Sequence, residues 1–261
     1  MGIPLQADQI RSELTTGFIG EPIIILKSTD STNDYALDNV NLHGAVVLAE
    51  EQTAGKGRMG RNWISPRGKS VLMTVVFLPE QSISRLLPLT LACGVAVAEG
   101  LQKSCNVITG LKWPNDVILN GRKVSGVLVE SQLSGSDAVK VVTGLGINVS
   151  QQEDDFPDDL RHPATSLQLE GYERVNRNSL IASVLNALES YYIQIAEGDT
   201  AGTVERWKQR SLQLNTRVRC SRETGETIGT FVDLAADGAA LVKESGKDPL
   251  KVSSGEIFSL E

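Results

Sequence analysis

A chain of 261 residues, 41% of them hydrophobic, can bury a full core; at roughly 150 residues per domain it fits one large domain, or one with a small companion. Its net charge of -7 and pI near 5.0 exclude the broadly cationic surface that nonspecific nucleic-acid or membrane binding needs. Three scattered cysteines (Cys93, Cys105, Cys220) with no C-x-x-C pair, and only two histidines, exclude a disulfide framework, a zinc site and a histidine-rich metal centre.

No basic run followed by an apolar core opens the chain, so no secretory signal is expected and a cytoplasmic location is. Gln6 to Leu14 predicts a short helix, Pro22 to Leu26 a buried strand, and Ser31-Thr32-Asn33 a helix opening before Tyr35. Ala45 to Ala49 and Val71 to Leu78 predict apolar strands, the second rich in β-branched residues. A helix is expected from about Ser84 to Lys103, with Pro88 in its first turns. Its apolar part, Leu86 to Ala98, falls short of the about 20 apolar residues of a membrane span.

Val117 to Leu119 and Arg122 to Glu130 flank Asn120-Gly121, a hairpin signal because both turn residues need positive φ. Val139 to Val149 is a further strand, interrupted by Gly144 and Gly146. From Asn178 to Ile195, residues Ile181, Val184, Leu185, Leu188, Tyr192 and Ile195 share one helical face. Beyond Leu212 the pattern changes to short strands: Arg217 to Ser221, Thr227 to Leu234, Ala239 to Lys243 and Glu256 to Leu260. These predict a small β-barrel of about fifty residues.

Between Gln52 and Pro79 the basic residues Lys56, Arg58, Arg61, Arg67 and Lys69 meet no acid. Glycines let a backbone approach a phosphate and arginines present fixed forks of donors, so this is a candidate anion site. The other reading is a solvated basic loop. Gly55, Gly57 and Gly60 match G-x-G-x-x-G by spacing, but a strand rather than a helix follows, so the dinucleotide reading fails. Nor is it a P-loop, since Gly57 follows Lys56.

Lys112-Trp113-Pro114-Asn115-Asp116-Val117 breaks a strand at a proline, which cannot donate to a ladder. Asn115 and Asp116 at that break are either turn residues or polar ligand contacts. Lys123 on the hairpin could point back to the break or lie exposed. Gly144-Leu145-Gly146-Ile147-Asn148 is either a strand-end bulge or a close ligand approach, with Asn148 able to bond a planar ring. Ser31, Thr32 and Asn33 are ordinary cap residues or, with Gln52, the lining of a pocket for a neutral polar head group.

Taken together and in this order, Ser31-Thr32-Asn33, Gln52 with G-K-G-R-M-G-R, Trp63, K-W-P-N-D-V, R-K-V-S-G-V-L-V-E and G-L-G-I-N-V resemble the biotin–protein ligases. The resemblance runs from about Ile24 to Leu260. It implies an enzyme that activates biotin with ATP and magnesium and then transfers it to a lysine of a biotin carboxyl carrier protein or domain. It implies an α/β fold: a mixed-sheet catalytic domain over residues 1–211 and an SH3-like barrel over 212–261. By resemblance, Ser31, Thr32, Asn33 and Gln52 hold the ureido ring, and Lys56, Gly57, Arg58 and Arg61 fold over biotin and the adenylate with Trp63 beside them. Lys123 contacts the biotin carboxylate and the reacting phosphate. Arg58, Arg61, Lys112, Asn115, Asp116 and Asn148 lie by the nucleotide. Lys123, Arg58, Arg61 and Asp116 are the catalytic candidates, with metal ligands unassigned. Lys56 and Met59 stand where several relatives carry arginine, so the loop loses bidentate donors at both places.

Relatives that double as repressors carry an N-terminal helix-turn-helix. About twenty residues precede the first strand here, below the roughly 55 that fold alone, so a monofunctional ligase without DNA binding or a membrane partner is expected. Monomer and homodimer both remain open. Two rival readings share part of this pattern. A lipoate–protein ligase would share the chemistry but not K-W-P-N-D-V and the terminal barrel. A non-catalytic biotin sensor would need a DNA-reading element.

Overall fold

The computed structural model describes residues 3–260 except 81, 135–136, 159, 161 and 223–224. A seven-stranded sheet forms the larger part, in the order β1-β2-β3-β7-β6-β5-β4. Its strands are β1 (Ile23–Leu26), β2 (Val46–Ala49), β3 (Ser70–Phe77), β4 (Gly110–Lys112), β5 (Asp116–Leu119), β6 (Arg122–Ser134) and β7 (Asp137–Asn148). β1 and β2 run parallel and the other neighbours antiparallel, so the sheet is mixed.

Strand periodicity separates the two faces. Val71, Met73, Val75 and Phe77 of β3 and Val141, Leu145 and Ile147 of β7 join the main core, under the long helices α3 (Leu89–Cys105) and α4 (Arg177–Glu197). Val47, Val76 and Val142 point the other way, into a smaller cluster beneath α2 (Thr32–Asn39). α1 (Ala7–Glu13) packs on α4. The rest of the second face is left for the site.

Local rules explain most boundaries. Asn120 and Gly121 both have positive φ (48° and 79°), as a tight hairpin between β5 and β6 requires. Asn176 caps α4 by accepting the Asn178 N–H at 2.9 Å, and left-handed Gly198 (φ 93°) ends it. The helix expected from Ser84 is instead a 3-10 turn, Ile83–Leu86, followed by α3 from Leu89. Pro88 stands just before α3, where its missing N–H costs nothing and its carbonyl accepts the Ala92 N–H at 3.0 Å. The stretch Ser84–Cys105 has a mean hydropathy of 1.3, high enough by length and composition to cross a membrane, but most of it is buried inside the protein.

After α5 (Ala201–Arg210) the chain forms a five-stranded antiparallel sheet in the order β11-β10-β9-β8-β12. Its strands are β8 (Arg217–Arg222), β9 (Gly225–Leu234), β10 (Ala240–Lys243), β11 (Leu250–Val252) and β12 (Glu256–Ser259). This is the small C-terminal β unit expected from the sequence, with β11 added. It is fastened to the larger sheet through Trp113. The Trp113 indole N–H donates to the Gly238 carbonyl (3.0 Å), and its backbone N–H donates to Gln213 Oε1 (3.0 Å). Gln213 Nε2 in turn donates to the Ile257 carbonyl at 2.9 Å. Trp207 of α5 lies 6.3 Å from the Phe231 ring of β9, and both are fully buried.

Candidate active site

The uncovered half of the second sheet face forms the floor of a cavity of about 200 Å³. Gly126 of β6 and Gly146 of β7 are register partners. A Cβ at Gly146 would come within 2.5 Å of the Trp63 ring, and one at Gly126 within 3.1 Å of both Trp63 and Lys123 Nζ. A Cβ at Gly144 would lie 2.5 Å from Asn33 Oδ1. The G-L-G spacing in β7 thus clears a shelf on which other side chains can lie flat against the backbone. Trp63 Nε1 is buried there without a hydrogen-bond partner among the described residues.

One end of the cavity is polar and neutral. Ser31 caps α2 by accepting the Asp34 N–H at 3.4 Å, which starts the helix here and turns Thr32 and Asn33 inward, all three buried. Thr32 donates to Gln52 Oε1 through both its backbone N–H and its hydroxyl, each at 2.8 Å. Asn33 Nδ2 donates to Glu130 Oε2 at 2.7 Å.

The other end is cationic. Lys123 reaches Asp116 Oδ1 at 2.5 Å and lies 5.7 Å from the centre of a Trp63 ring. Arg58 Nη1 donates to Asn115 Oδ1 (3.3 Å), and Asn115 Nδ2 donates to the Val127 carbonyl (2.8 Å), which holds the K-W-P-N-D turn against β6. Burial, and after it the nearby Arg61 charge, pulls the Arg58 guanidinium below its ordinary range. Burial likewise lowers Lys112, whose ammonium lies 3.3 Å from His162 Nε2 and 5.5 Å over the Phe258 ring. For Arg58 and Lys112, burial outweighs the opposing pull of Asp116 and Glu256.

The glycine-rich segment roofs the cavity as a hairpin. Gly57 N–H donates to the Arg61 carbonyl (2.7 Å), Trp63 N–H to the Gly55 carbonyl (2.8 Å), and a 3-10 turn, Arg58–Gly60, makes the tip. Met59 at that tip is left-handed (φ 58°) and exposed. Lys56 pairs with Asp34 at 2.6 Å, and this bond raises its ammonium above the ordinary range. Arg61 pairs with Glu256 of β12 at 2.5 Å.

The structure brings every sequence-predicted residue to this one cavity: Ser31, Thr32, Asn33, Gln52, Lys56, Gly57, Arg58, Arg61, Trp63, Lys112, Asn115, Asp116, Lys123 and Asn148 all line it. Asn148 is already engaged with protein, donating to the Thr165 carbonyl (3.0 Å) and accepting from Gln151 Nε2 (2.8 Å). Sequence reasoning missed His162, Glu256 and Ile257, which also line the cavity. It is carried there by distant segments. The 163–165 stretch bonds to both sides of Lys123, which delivers His162, and β12 delivers the other two. It also missed Thr74 behind the wall, a threonine in a strand giving no signal of its own.

The comparisons agree with this geometry. Residues 25–148 match the model of the biotin/lipoate A/B protein ligase family, and residues 214–259 that of the biotin protein ligase C-terminal domain. The bifunctional ligase/repressor BirA of Bacillus subtilis is 33% identical over 256 residues, covering 97% of this chain and 78% of that protein. The biotin--[acetyl-CoA-carboxylase] ligase of Mycobacterium tuberculosis is 30% identical over 269 residues, covering 98% and 96%. The structure of the Aquifex aeolicus biotin protein ligase in complex with biotin and ATP superposes with a TM-score of 0.78 at 29% identity, covering 91% and 98%. With its cavity, its motifs and both matched regions in agreement, this chain belongs to the biotin protein ligase family.

Proposed function

We propose that this enzyme activates biotin with ATP to biotinyl-5′-AMP and transfers the biotinyl group to one lysine of a biotin carboxyl carrier protein or domain. The observation that carries the reading is the polarity of this cavity: neutral hydrogen-bonding groups at one end, lysines and arginines at the other. Biotin has the matching form. Its head is an uncharged cyclic urea with two donors and one acceptor, and its tail is a carboxylate.

Activation joins two anions. The carboxylate oxygen attacks the α-phosphorus of ATP and pyrophosphate leaves. Two unit negative charges 4 Å apart repel by about 4 kcal/mol at an effective dielectric of 20. In this reading Lys123 offsets that repulsion at the reacting oxygens, while Arg58 and Arg61 draw the departing charge. Lys112, Asn115 and Asp116 face the nucleotide, and Asn148 holds the floor beside it. Ser31, Thr32, Asn33 and Gln52 hold the urea, with Lys56, Gly57 and Trp63 closing over it. In the second step the acceptor lysine amine attacks the acyl carbon, loses a proton, and AMP leaves. No protein nucleophile is required.

Magnesium fits this site as an ion brought by the nucleotide. Among the described residues no group of three His, Cys, Asp or Glu side chains is placed to hold a metal, and magnesium commonly keeps its waters and takes phosphate oxygens with one or two carboxylates. Asp116 and Glu256 are the carboxylates in the cationic half of the cavity. Bound there, the ion would neutralise phosphate charge.

The C-terminal domain match separates this reading from a lipoate ligase. We further assign residues 1–211 to catalysis and 212–261 to the C-terminal domain. We place the enzyme in the cytoplasm with neither nucleic acid nor membrane as partner, which the net charge of -7 supports. The test adds biotin, ATP and magnesium to the protein together with a carrier domain. One biotinyl group on one carrier lysine is expected; a carrier left unmodified, or modified equally well by lipoic acid, would refute the assignment.

A further inference from the structure

Thr74, in the middle of β3, is fully buried although polar. Its hydroxyl lies 2.8 Å from Thr32 Oγ1 and 2.7 Å from Asn33 Oδ1. Thr32 continues to Gln52 Oε1, and Asn33 Nδ2 to Glu130 Oε2 and the Leu128 carbonyl. One buried hydroxyl thus joins the two sides of the neutral end of the cavity without lining it. Packing alone does not ask for it. Valine has nearly the same shape and the rest of β3 from Val71 to Phe77 is apolar; a buried hydroxyl is tolerated only where it is hydrogen-bonded.

The chain of bonds has a direction. A hydroxyl carries one proton, and a carboxylate only accepts. Glu130 and the Leu128 carbonyl therefore fix the Asn33 amide with its nitrogen toward β6 and its oxygen toward Thr74. The single Thr74 proton is shared between the two neighbouring oxygens, Asn33 Oδ1 and Thr32 Oγ1, and the Thr32 hydroxyl donates its own proton to Gln52 Oε1. Gln52 Oε1 also accepts the Thr32 backbone N–H. Thr32 Oγ1 keeps its remaining lone pair for the cavity, where a urea N–H can donate. The fold makes room for this arrangement, since Thr74 is the register partner of Gly144, where any Cβ would strike Asn33 Oδ1 at 2.5 Å.

We infer that Thr74 is a positioning residue that sets the donor–acceptor polarity of the head-group end, so that the site selects a cyclic urea over an acid of similar length that lacks one. The inference rests on the functional reading above and adds the source of its selectivity.

The test measures pyrophosphate release with biotin and with lipoic acid for the wild type, Thr74→Val, Thr74→Ser and Gly144→Ala. Loss of a buried hydrogen bond that leaves its partner unsatisfied predicts a rise in the biotin KM of about tenfold or more for Thr74→Val. The KM for ATP and the kcat at saturating biotin should stay within about twofold, and the preference for biotin over lipoic acid should narrow. Thr74→Ser should restore the biotin KM, and Gly144→Ala, by displacing Asn33 from Thr74, should raise it. A Thr74→Val enzyme with the wild-type biotin KM, or with the ATP KM raised equally, overturns the inference. Should that variant not fold, an unchanged biotin KM in Gly144→Ala overturns it. A wild type that releases no pyrophosphate with biotin overturns both this inference and the functional reading, whereas a working wild type with unchanged variants overturns the inference alone.

Discussion

Arg61 of the glycine-rich hairpin and Glu256 of β12 form an ion pair of 2.5 Å, so the roof of the cavity is tied to the C-terminal sheet. Ile257, the next residue, lines the same cavity. Arg217, Arg219 and Lys243 of the same sheet alternate with apolar positions along their strands. These are exposed, and Arg219 lies over the Phe258 ring (5.3 Å), beside the residues that contribute.

The C-terminal sheet should therefore matter to catalysis. A fragment ending at Leu212 should be impaired in both half-reactions, since it loses Glu256 and Ile257 and uncovers Trp113. In the full chain, Glu256→Gln should raise the KM for ATP a few-fold, a modest effect because Arg61 is well exposed to solvent. An ATP KM equal to wild type in the variant, and full rates in a folded fragment, would make the sheet a passenger.

Lys123→Ala should lower adenylate formation by about 10²–10³-fold, roughly 2.7–4 kcal/mol, the usual effect of removing one transition-state donor. The fold should survive, because the structural bonds of Lys123 to residues 163 and 165 are made by its backbone. Stopped-flow pyrophosphate release checks this, and a rate near wild type would remove Lys123 from the mechanism.

Protease cleavage after Arg58 and Arg61 should fall when biotin and ATP are added. The hairpin tip has left-handed Met59 and Gly60, and Arg58 there is bonded to the neutral amide of Asn115, so an anionic ligand would add a stronger partner. The free hairpin is folded rather than extended, held by Lys56–Asp34 and Arg61–Glu256, so slow cleavage is expected even before ligand is added. Identical cleavage rates in both conditions would argue against a closing roof.

Acidification should destabilise the protein before its carboxylates titrate. Burial holds both His43 and His162 below the ordinary value of 6.5, and for His162 the Lys112 charge adds to this. Below pH 6.5 the unfolded chain binds protons that the folded chain does not, so stability falls with pH from there down to the depressed folded values. Asp155, Glu170, Asp233 and Asp237 are also lowered, but from 3.8 or 4.5, so their stabilisation is lost only at more acidic pH. The Tm should drop between pH 7 and pH 5.5, and His162→Gln should flatten part of that drop. A Tm independent of pH across that window would contradict the account.

What the sequence made legible follows from local physics and family motifs. A continuous apolar run rich in β-branched residues marked β3, a similar run interrupted by Gly144 and Gly146 marked β7, the Asn120-Gly121 turn fixed the β5–β6 hairpin, and motif order assembled the cavity residues. Elements with little apolar signal were missed. Only Thr203 and Trp207 of α5 are buried, and β4 and β11 are three residues each. Glu256, Ile257 and His162 reach the site through pairings far apart in sequence. Thr74 differs from its valine neighbours only by a hydroxyl, whose importance depends on partners that the strand itself does not reveal.

The most direct test of the central claim is biotin-dependent pyrophosphate release by the full chain with ATP and magnesium in the absence of any carrier, with the co-product identified by mass. The account predicts biotinyl-5′-AMP in an amount equal to the pyrophosphate. Pyrophosphate release that does not depend on biotin, or none at all, would contradict it.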